Sequence, residues 1–409
     1  MLQQYQKPSL AHTNALPTEL LDLAQRLRDP SILTFAEGDA VGLANGLAGI
    51  ALLPLTLAPL FPGQGWLEVA GSYFRRIAQE TRRSPLSHPG LYHGSCGVAL
   101  TLSLLARLDA RYDEASRILL ARLVDQVITW DWATQPFLPG QQNFELIGGA
   151  AGILRFLLTQ QAEPGVSSAL ECLLSSLLWV SEKQDRWVHR PERLGTMAKQ
   201  RYPAGYIDLG RAHGLAGPLA ALSLAALHGY AHPGVLKAIE RWSAWLLEQR
   251  LNMPWGKDWP AVIPTHLQAK DCLPARSAWC YGAPGIAHAL WLAGRALTDD
   301  SLCTLARESL AAVFRRPAEA RHIDEPQLCH GLAGLLLVCR RMASDDPTAC
   351  PAWLKEAISQ LTTAFTTRWI ASSAQMPPTF LSGSVGGALT LLAVMTTDEP
   401  LWDQALLLS

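Results

Sequence analysis

Two cysteines and a histidine have the types and spacing of a metal site. Cys280 and Cys329 each lie two residues before the first glycine of a Gly-x-x-Gly motif, and His330 follows Cys329 directly. Two thiolates and an imidazole suit zinc, and three protein ligands leave the fourth tetrahedral position open, as in catalytic zinc sites. Free cysteines are often buried simply as small hydrophobic residues, so the matched register carries the prediction. We therefore predict that these residues bind a catalytic Zn²⁺ ion.

The residue directly before each first glycine is a second place to look for chemistry. His213 holds this position next to the predicted metal repeats, and His93 holds it in an earlier repeat. An imidazole with an ordinary pKa near 6.5 can take or give a proton at neutral pH. We predict His213 as the acid/base residue, with helix capping or packing as the alternative for it and the favoured interpretation for His93.

Three further side chains lie close to these motifs. Arg276 and Tyr281 flank Cys280, and Glu145 is the only carboxylate next to the motif that begins at Gly149. Arg276 and Tyr281 could orient a substrate or stabilise negative charge, or could serve packing and surface roles instead.

The Gly-x-x-Gly motif occurs seven times, each time followed by an apolar run. The segments are NGLAGIALL, HGSCGVALTL, GGAAGILRFL, HGLAGPLAAL, YGAPGIAHAL, HGLAGLLLV and SGSVGGALTLL. Their first glycines are Gly46, Gly94, Gly149, Gly214, Gly282, Gly331 and Gly383, with spacings of 48, 55, 65, 68, 49 and 52 residues. Repeats of this period stack on their neighbours to build one continuous core.

Each repeat predicts a helical hairpin. The apolar run must be buried on all sides, whereas the segment after it, such as WLEVAGSYFRRIAQETRR from Trp66, has helical periodicity with one polar face. Seven hairpins with their apolar helices inward predict an all-α fold, either an (α/α) toroid or a solenoid. The glycines would let the inner helices start close together, and the gathered helix N-termini would make that pole positive.

The composition and length of the chain indicate the number of domains and the size of the core. Apolar residues are 49% and charged residues 17%, which predicts a large core. We expect a single domain over residues 1–409, with insertions near 184–207 and 251–277 where the spacing is longest. Long loops inside compact repeats are usually functional or disordered, and these two lead into the His213 and Cys280 motifs, which favours function.

Charge and targeting signals narrow the partners and the location. The net charge of −1 and the lack of a basic cluster indicate no nucleic-acid partner. The N-terminal sequence MLQQYQKPSL has no apolar signal-peptide region, so we expect a cytoplasmic protein with reduced cysteines. The nearly uncharged segment 40–62 is long enough to raise the question of a membrane span, but its prolines and its place in the repeats indicate a buried helix and turn.

The motifs together resemble the lanthionine synthetase C-like family of lantibiotic cyclases and their eukaryotic relatives. The specific segments are GYIDLGRAHGLAGPLA, RSAWCYGAPGIA and LCHGLAGLLL, and the resemblance covers essentially the whole chain. It implies a two-layered helical toroid that adds cysteine thiols of a dehydrated precursor peptide to dehydroalanine or dehydrobutyrine, forming (methyl)lanthionine rings. It also implies a free-standing cyclase, which can associate with a dehydratase and an exporter at the membrane.

The resemblance also implies roles for individual residues. The family's zinc ligands correspond to Cys280, Cys329 and His330, and its other site residues correspond to His213, Arg276 and Tyr281. In place of the family's common Tyr-Asp-Leu-Ile pattern, this chain has FELI around Glu145. Glutamate keeps the charge but is one methylene longer, so its part in orienting a histidine is open.

Other functions remain open on the sequence alone. A glutathione- or peptide-binding regulatory or transfer protein of the cyclase-like type would hold a thiol without closing a ring. A protein prenyltransferase subunit is another toroid with zinc–thiolate chemistry, although its zinc set usually includes an Asp. A sugar-cleaving toroid needs two facing carboxylates, for which Glu145 is the one good candidate. The sugar-cleaving toroid therefore ranks last among these enzymes, and a purely structural repeat scaffold without metal is a further alternative.

Overall fold

The computed structural model describes residues 16–36, 38–133, 142–230, 232–396 and 399–409. The segment MLQQYQKPSL, on which the expected cytoplasmic location rests, lies outside these ranges, as do the other residues of 1–15 in the expected domain. In chain order, the helices are α1 (Thr18–Arg26), α2 (Leu47–Leu60), α3 (Trp66–Arg83), α4 (Ser95–Leu108), α5 (Asp113–Thr129), α6 (Ala150–Leu157), α7 (Val166–Ser181), α8 (Thr196–Arg201), α9 (Ala216–Leu227), α10 (Val235–Glu248), α11 (Ala283–Leu297), α12 (Asp300–Arg315), α13 (Ala318–Arg321), α14 (Leu332–Ser344), α15 (Ala352–Ser372) and α16 (Ser384–Met395). The strands are β1 (Val188–His189), β2 (Tyr206–Asp208), β3 (Leu251–Met253), β4 (Gly256–Asp258) and β5 (Val262–Pro264).

The main helices form two layers, as predicted. The inner layer consists of α2, α4, α6, α9, α11, α14 and α16, which follow the seven motifs and are largely buried. The outer layer contains α3, α5, α7, α10, α12 and α15, each packed on the inner helix before it. In α10, the buried residues are Val235, Ala238, Ile239, Trp242, Ser243 and Leu246, which form one helical face.

The inner helices form a closed ring, so the fold is a toroid and not an open solenoid. Each inner helix contacts the next, and α16 contacts α2. Backbone hydrogen bonds join the loops before the helices, and every acceptor is the residue two before a first glycine. The bonds are Ala44 N to Tyr92 O, Tyr92 N to Ile147 O, Leu146 N to Ala212 O, Arg211 N to Cys280 O, Cys280 N to Cys329 O, Cys329 N to Leu381 O and Leu381 N to Ala44 O.

The second glycine of each motif allows this close packing. A Cβ atom on Gly334 would lie 2.1 Å from the carbonyl oxygen of Leu328 and 2.9 Å from Cβ of Trp279 in the preceding repeat. A Cβ atom on Gly49 would lie 2.8 Å from Cβ of Phe380, which belongs to the seventh repeat. The predicted role of the glycines in close approach is therefore confirmed, and it extends across the junction that closes the ring.

The seventh repeat is not the hairpin that the sequence predicts. After α16 the chain forms a short 3₁₀ segment, Leu401–Leu406, and α1 from the start of the chain contacts α16 instead. Residues 402–408 are buried, and the 3₁₀ segment contacts the inner helices α4 and α6. The fully buried guanidinium of Arg211 donates to the carbonyl oxygens of Leu406 and Leu407, and the hydroxyl of Tyr92 donates to Ala405 O at 2.7 Å. We name residues 402–409 the terminal segment; it lies inside the ring because burial of its apolar side chains is favourable there.

The two insertions contain short strands as well as loops. Strands β1, β2 and β5 form an antiparallel sheet in the order β1–β2–β5, and β3 pairs with β4. Strands of two or three residues are too short to produce a readable hydrophobic period, which is why the sequence indicated only loops.

The segment 40–62 holds the buried helix that was predicted for it. Helix α2 has 14 residues and is buried at ten of them. Across the residues that the structure describes, no helix combines the length and the apolar character needed to cross a membrane.

Candidate metal centre

The three predicted metal ligands meet at the pole where the inner helices begin. One donor atom from each of Cys280, Cys329 and His330 lies within 4.8 Å of the other two. Cys280 is buried and the other two side chains are half-buried. The bond from Cys280 N to Cys329 O, at 3.2 Å, holds the two cysteine backbones side by side. The shared register of repeats five and six thus brings these residues together.

Cys280 and Cys329 shift each other's thiol pKa in opposite directions. The hydrogen bond from Cys280 lowers the pKa of Cys329 to about 5, against burial and with help from His330. The same hydrogen bond, together with burial, raises the pKa of Cys280. The pair therefore already stabilises one thiolate, which is the form of cysteine that binds zinc. This donor set fits zinc.

A glutamine that the sequence did not single out lies against the ring of His330. Nε2 of His330 lies 3.0 Å from the amide nitrogen of Gln327, which also contacts the carboxylate of Glu325. Gln327 is buried. An amide nitrogen only donates, so with a metal ion on Nδ1, where Nε2 keeps its proton, the carboxamide of Gln327 would turn to accept that proton through Oε1 and fix the ring. The only sequence signal for Gln327 is its place three residues before His330, which is a weak one.

His213 and Glu145 form an anchored pair in the same region. Nδ1 of His213 lies 2.8 Å from Oε2 of Glu145. The other carboxylate oxygen accepts from the backbone N–H of Gly148 and from that of Gly149, the latter at 3.0 Å. Glu145 is fully buried, so its side chain is fixed from both ends. The longer glutamate still reaches the histidine, and Nε2 is the ring nitrogen left for a substrate.

The environment of His213 favours its protonated form. Burial opposes the charge, but the hydrogen bond and charge of Glu145, with the charges of Asp208 and Cys329, outweigh it and raise the pKa of His213 to about 9. The side chain is 35% exposed, so it is accessible. An imidazole with this pKa carries a proton at neutral pH and can act as an acid.

Tyr281 is bound to a second carboxylate that the sequence reasoning missed. The hydroxyl of Tyr281 donates to Oδ2 of Asp208 at 3.0 Å. Burial raises the pKa of Asp208 to about 6. Asp208 lies within the segment GYIDLGRAHGLAGPLA, where an acidic residue in apolar surroundings was the available signal. The pole therefore holds two buried carboxylates and not Glu145 alone.

Arg276 and His93 lie within electrostatic range of these groups. Arg276 is exposed, and its charge favours the thiolate of Cys280. His93 is half-buried; burial lowers its pKa, while the charges of Asp39 and Glu145 act in the opposite direction. Arg276 can thus interact with negative charge at the metal centre. For His93, packing remains the favoured interpretation.

Known proteins share this sequence pattern and this fold. A family model described as lanthionine synthetase C-like protein matches residues 39–407. The nisin biosynthesis protein NisC of Lactococcus lactis subsp. lactis is 26% identical over 316 residues, which are 73% of this chain and 72% of that protein. A solved structure of nisin cyclase matches with a TM-score of 0.79 at 22% identity and covers 95% of both chains. The structural likeness supports the two-layered, all-α toroid.

Proposed function

The chain belongs to the lanthionine synthetase C-like family, and we propose that it closes thioether rings in a dehydrated precursor peptide. A cysteine thiol adds across the double bond of dehydroalanine or dehydrobutyrine and forms lanthionine or methyllanthionine. The observation that carries the proposal is the cluster of Cys280, Cys329 and His330 beside the His213–Glu145 pair. The cysteine–histidine cluster is suited to bind and activate a thiol, and the His213–Glu145 pair is suited to transfer a proton.

We assign zinc to the cluster, held by the sulfurs of Cys280 and Cys329 and by a ring nitrogen of His330. When bound, zinc supplies a Lewis acid that lowers the pKa of a thiol from its ordinary value of about 8.5. A cysteine substrate needs this help because it is mostly protonated at neutral pH.

The side chains around the cluster manage the proton and the developing charge. Sulfur bonds to Cβ, the π electrons shift onto the carbonyl as an enolate, and a proton must then reach Cα. Protonated His213 gives that proton from Nε2, and the proton lost by the substrate thiol balances the one delivered. Glu145 holds the imidazole ring of His213 in place throughout the reaction. Arg276 and the N-termini of the inner helices stabilise the enolate oxygen.

We propose that the toroid works as one domain on a peptide that another enzyme has dehydrated. The dehydro residue must exist before a thiol can add to it, so a dehydratase acts first. The chain would meet that dehydratase and an exporter at the cytoplasmic side of a membrane. The closed ring of backbone hydrogen bonds supports the single unit.

Mass spectrometry on a peptide with one dehydroalanine and one cysteine tests the proposed function. The peptide is incubated near pH 6.5, where spontaneous addition is slow, with the zinc-loaded chain and glutathione, and then alkylated. Ring closure leaves the mass unchanged and removes the alkylation site. Parallel reactions contain no protein or the variant His213→Ala, which should keep zinc and lose the catalysed rate.

Three outcomes would change the assignment. Full alkylation, with ring closure no faster than in the reaction without protein, would mean that the chain does not cyclise this peptide. A glutathione adduct on the dehydro residue would favour the glutathione-transfer alternative, because the same cluster would then be presenting a different thiol. A rate for His213→Ala equal to that of the unmodified chain would remove His213 from the proton transfer.

A further inference from the structure

Asp208 is held between two hydrogen-bond donors that fix both of its oxygens. Oδ2 accepts from the hydroxyl of Tyr281 at 3.0 Å, and Oδ1 accepts from the backbone N–H of Gly210 at 2.7 Å. Asp208 is the last residue of strand β2 and is 3% exposed. Each oxygen therefore has its own donor, and the carboxylate has little freedom to turn.

The backbone after Asp208 packs directly on the start of repeat five. A Cβ atom on Gly210 would lie 2.6 Å from the carbonyl oxygen of Cys280 and 2.6 Å from Cδ1 of Tyr281. The next residue, Arg211, donates its N–H to Cys280 O at 2.8 Å. Asp208 is thus placed to fix the orientation of Tyr281, the residue that directly follows the proposed metal ligand Cys280.

The direction of the hydrogen bond decides what Tyr281 can offer to a substrate. A tyrosine hydroxyl has one proton and two lone pairs, whereas a carboxylate only accepts. Above pH 7 Asp208 is mostly ionised, since its pKa is about 6. The proton of Tyr281 then points to Asp208, and only oxygen lone pairs remain for a ligand. A peptide substrate presents backbone N–H groups that need such an acceptor.

We infer that Asp208 is a positioning residue that fixes the hydroxyl of Tyr281 as an acceptor for a backbone N–H of the substrate peptide. Tyr281 therefore orients the peptide and does not supply the proton for Cα. The inference rests on the proposed function, because it assumes a peptide at this pole. It adds a residue to the site and separates the role of Tyr281 from that of His213.

Asp208→Asn inverts the hydrogen bond with little change in shape. The N–H of Gly210 keeps the amide oxygen on its side, so the amide nitrogen faces Tyr281 and donates to it. The proton of Tyr281 then turns toward the substrate, and the acceptor is lost. Tyr281→Phe removes the same acceptor directly. Tyr206→Phe is the matched control, because Tyr206 lies on the same strand with its ring stacked on His189 at 4.6 Å.

Two measurements at pH 8 on the zinc-loaded chain test the inference. The first is the Kd of a dehydrated peptide whose cysteine is replaced by serine, and the second is kcat and KM for the reactive peptide. We expect Asp208→Asn and Tyr281→Phe each to raise Kd and KM about tenfold, with kcat within about threefold, as for loss of one hydrogen bond. The double variant should be no worse than either single one. Tyr206→Phe and the zinc content of every variant should match the unmodified chain.

Other results would overturn the inference. A loss of kcat of about a hundredfold or more in Tyr281→Phe, with Kd unchanged, would make Tyr281 an acid. Unchanged peptide binding by Asp208→Asn, or multiplied effects in the double variant, would show that Asp208 does not act through Tyr281. If the unmodified chain bound the peptide but closed no ring, the proposed function would fail, while the Kd series would still decide the role of Asp208.

Discussion

Replacing Glu145 by glutamine should move the pH dependence of ring closure to lower pH. The substitution keeps the size of the side chain but removes the charge that lies 2.8 Å from Nδ1 of His213. Burial, which favours the neutral ring, then has less to oppose it, so the pKa of His213 falls from about 9. Because the protonated ring is the acid, activity that lasts up to about pH 9 in the unmodified chain should be lost earlier in the variant.

The size of the shift follows from the structure. If the pKa of His213 fell to its ordinary value near 6.5, the change would exceed two pKa units, which at 1.36 kcal/mol per unit is about 3 kcal/mol. The side chain of His213 is 35% exposed, and water screens part of the interaction, so we expect about half of this. A shift of roughly one unit lowers the protonated fraction, and hence kcat, about fivefold at pH 9 and by less than about twofold at pH 6.5.

The assay is ring closure followed by mass spectrometry between pH 6 and 9.5, with the uncatalysed rate subtracted at each pH. Glu171→Gln is the control, because Glu171 pairs with Nε2 of His232 at 3.1 Å on the surface. Its profile should match that of the unmodified chain. A Glu145→Gln profile that superimposes on the unmodified one, or an equal loss at every pH, would refute the assigned link between Glu145 and the acid.

Three further substitutions probe the metal centre and the ring. Cys280→Ala should lose zinc and ring closure together in elemental analysis and the cyclisation assay, whereas Cys339→Ala, in the core, should lose neither; retained zinc would exclude Cys280 as a ligand. Gln327→Ala should weaken zinc binding about 10- to 100-fold in competition with a chelator, because the carboxamide that contacts Nε2 of His330 is lost; an unchanged affinity would show that Gln327 does not orient His330. Arg211→Met leaves the carbonyl oxygen of Leu407 without its donor, whereas Nε1 of Trp279 still donates to Leu406 O, and it should lower the free energy of unfolding in urea by about 1–3 kcal/mol; a change below about 0.5 kcal/mol would show that another group satisfies that carbonyl.

The ring and the metal cluster could be predicted because both depend on one repeated register. The seven motifs give seven buried helices, and adjacent repeats place equivalent residues side by side. Cys280 and Cys329 share the position that accepts the inter-repeat hydrogen bonds, so their proximity follows from alignment alone. The glycines complete the pattern, since only residues without a Cβ fit where neighbouring repeats touch.

The contacts outside that register could not be predicted. Asp208 reaches Tyr281 because the end of strand β2 packs on repeat five, and no periodicity encodes that approach. The terminal segment lies inside the ring and α1 contacts α16, although the repeat pattern indicated a seventh hairpin after α16. These arrangements depend on long-range packing between segments that do not share a repeat.

Stepwise return of zinc to the metal-stripped chain tests the central claim most directly. Ring closure of the dehydroalanine–cysteine peptide is followed while Zn²⁺ is added to the unmodified chain and to Cys329→Ala. We predict that the catalysed rate of the unmodified chain rises with zinc and saturates at about one equivalent, as expected for a single site with this ligand set, while Cys329→Ala stays at the uncatalysed rate. Full catalysis by the stripped chain, or an equal response from Cys329→Ala, would contradict a zinc-dependent cyclase centred on Cys280, Cys329 and His330.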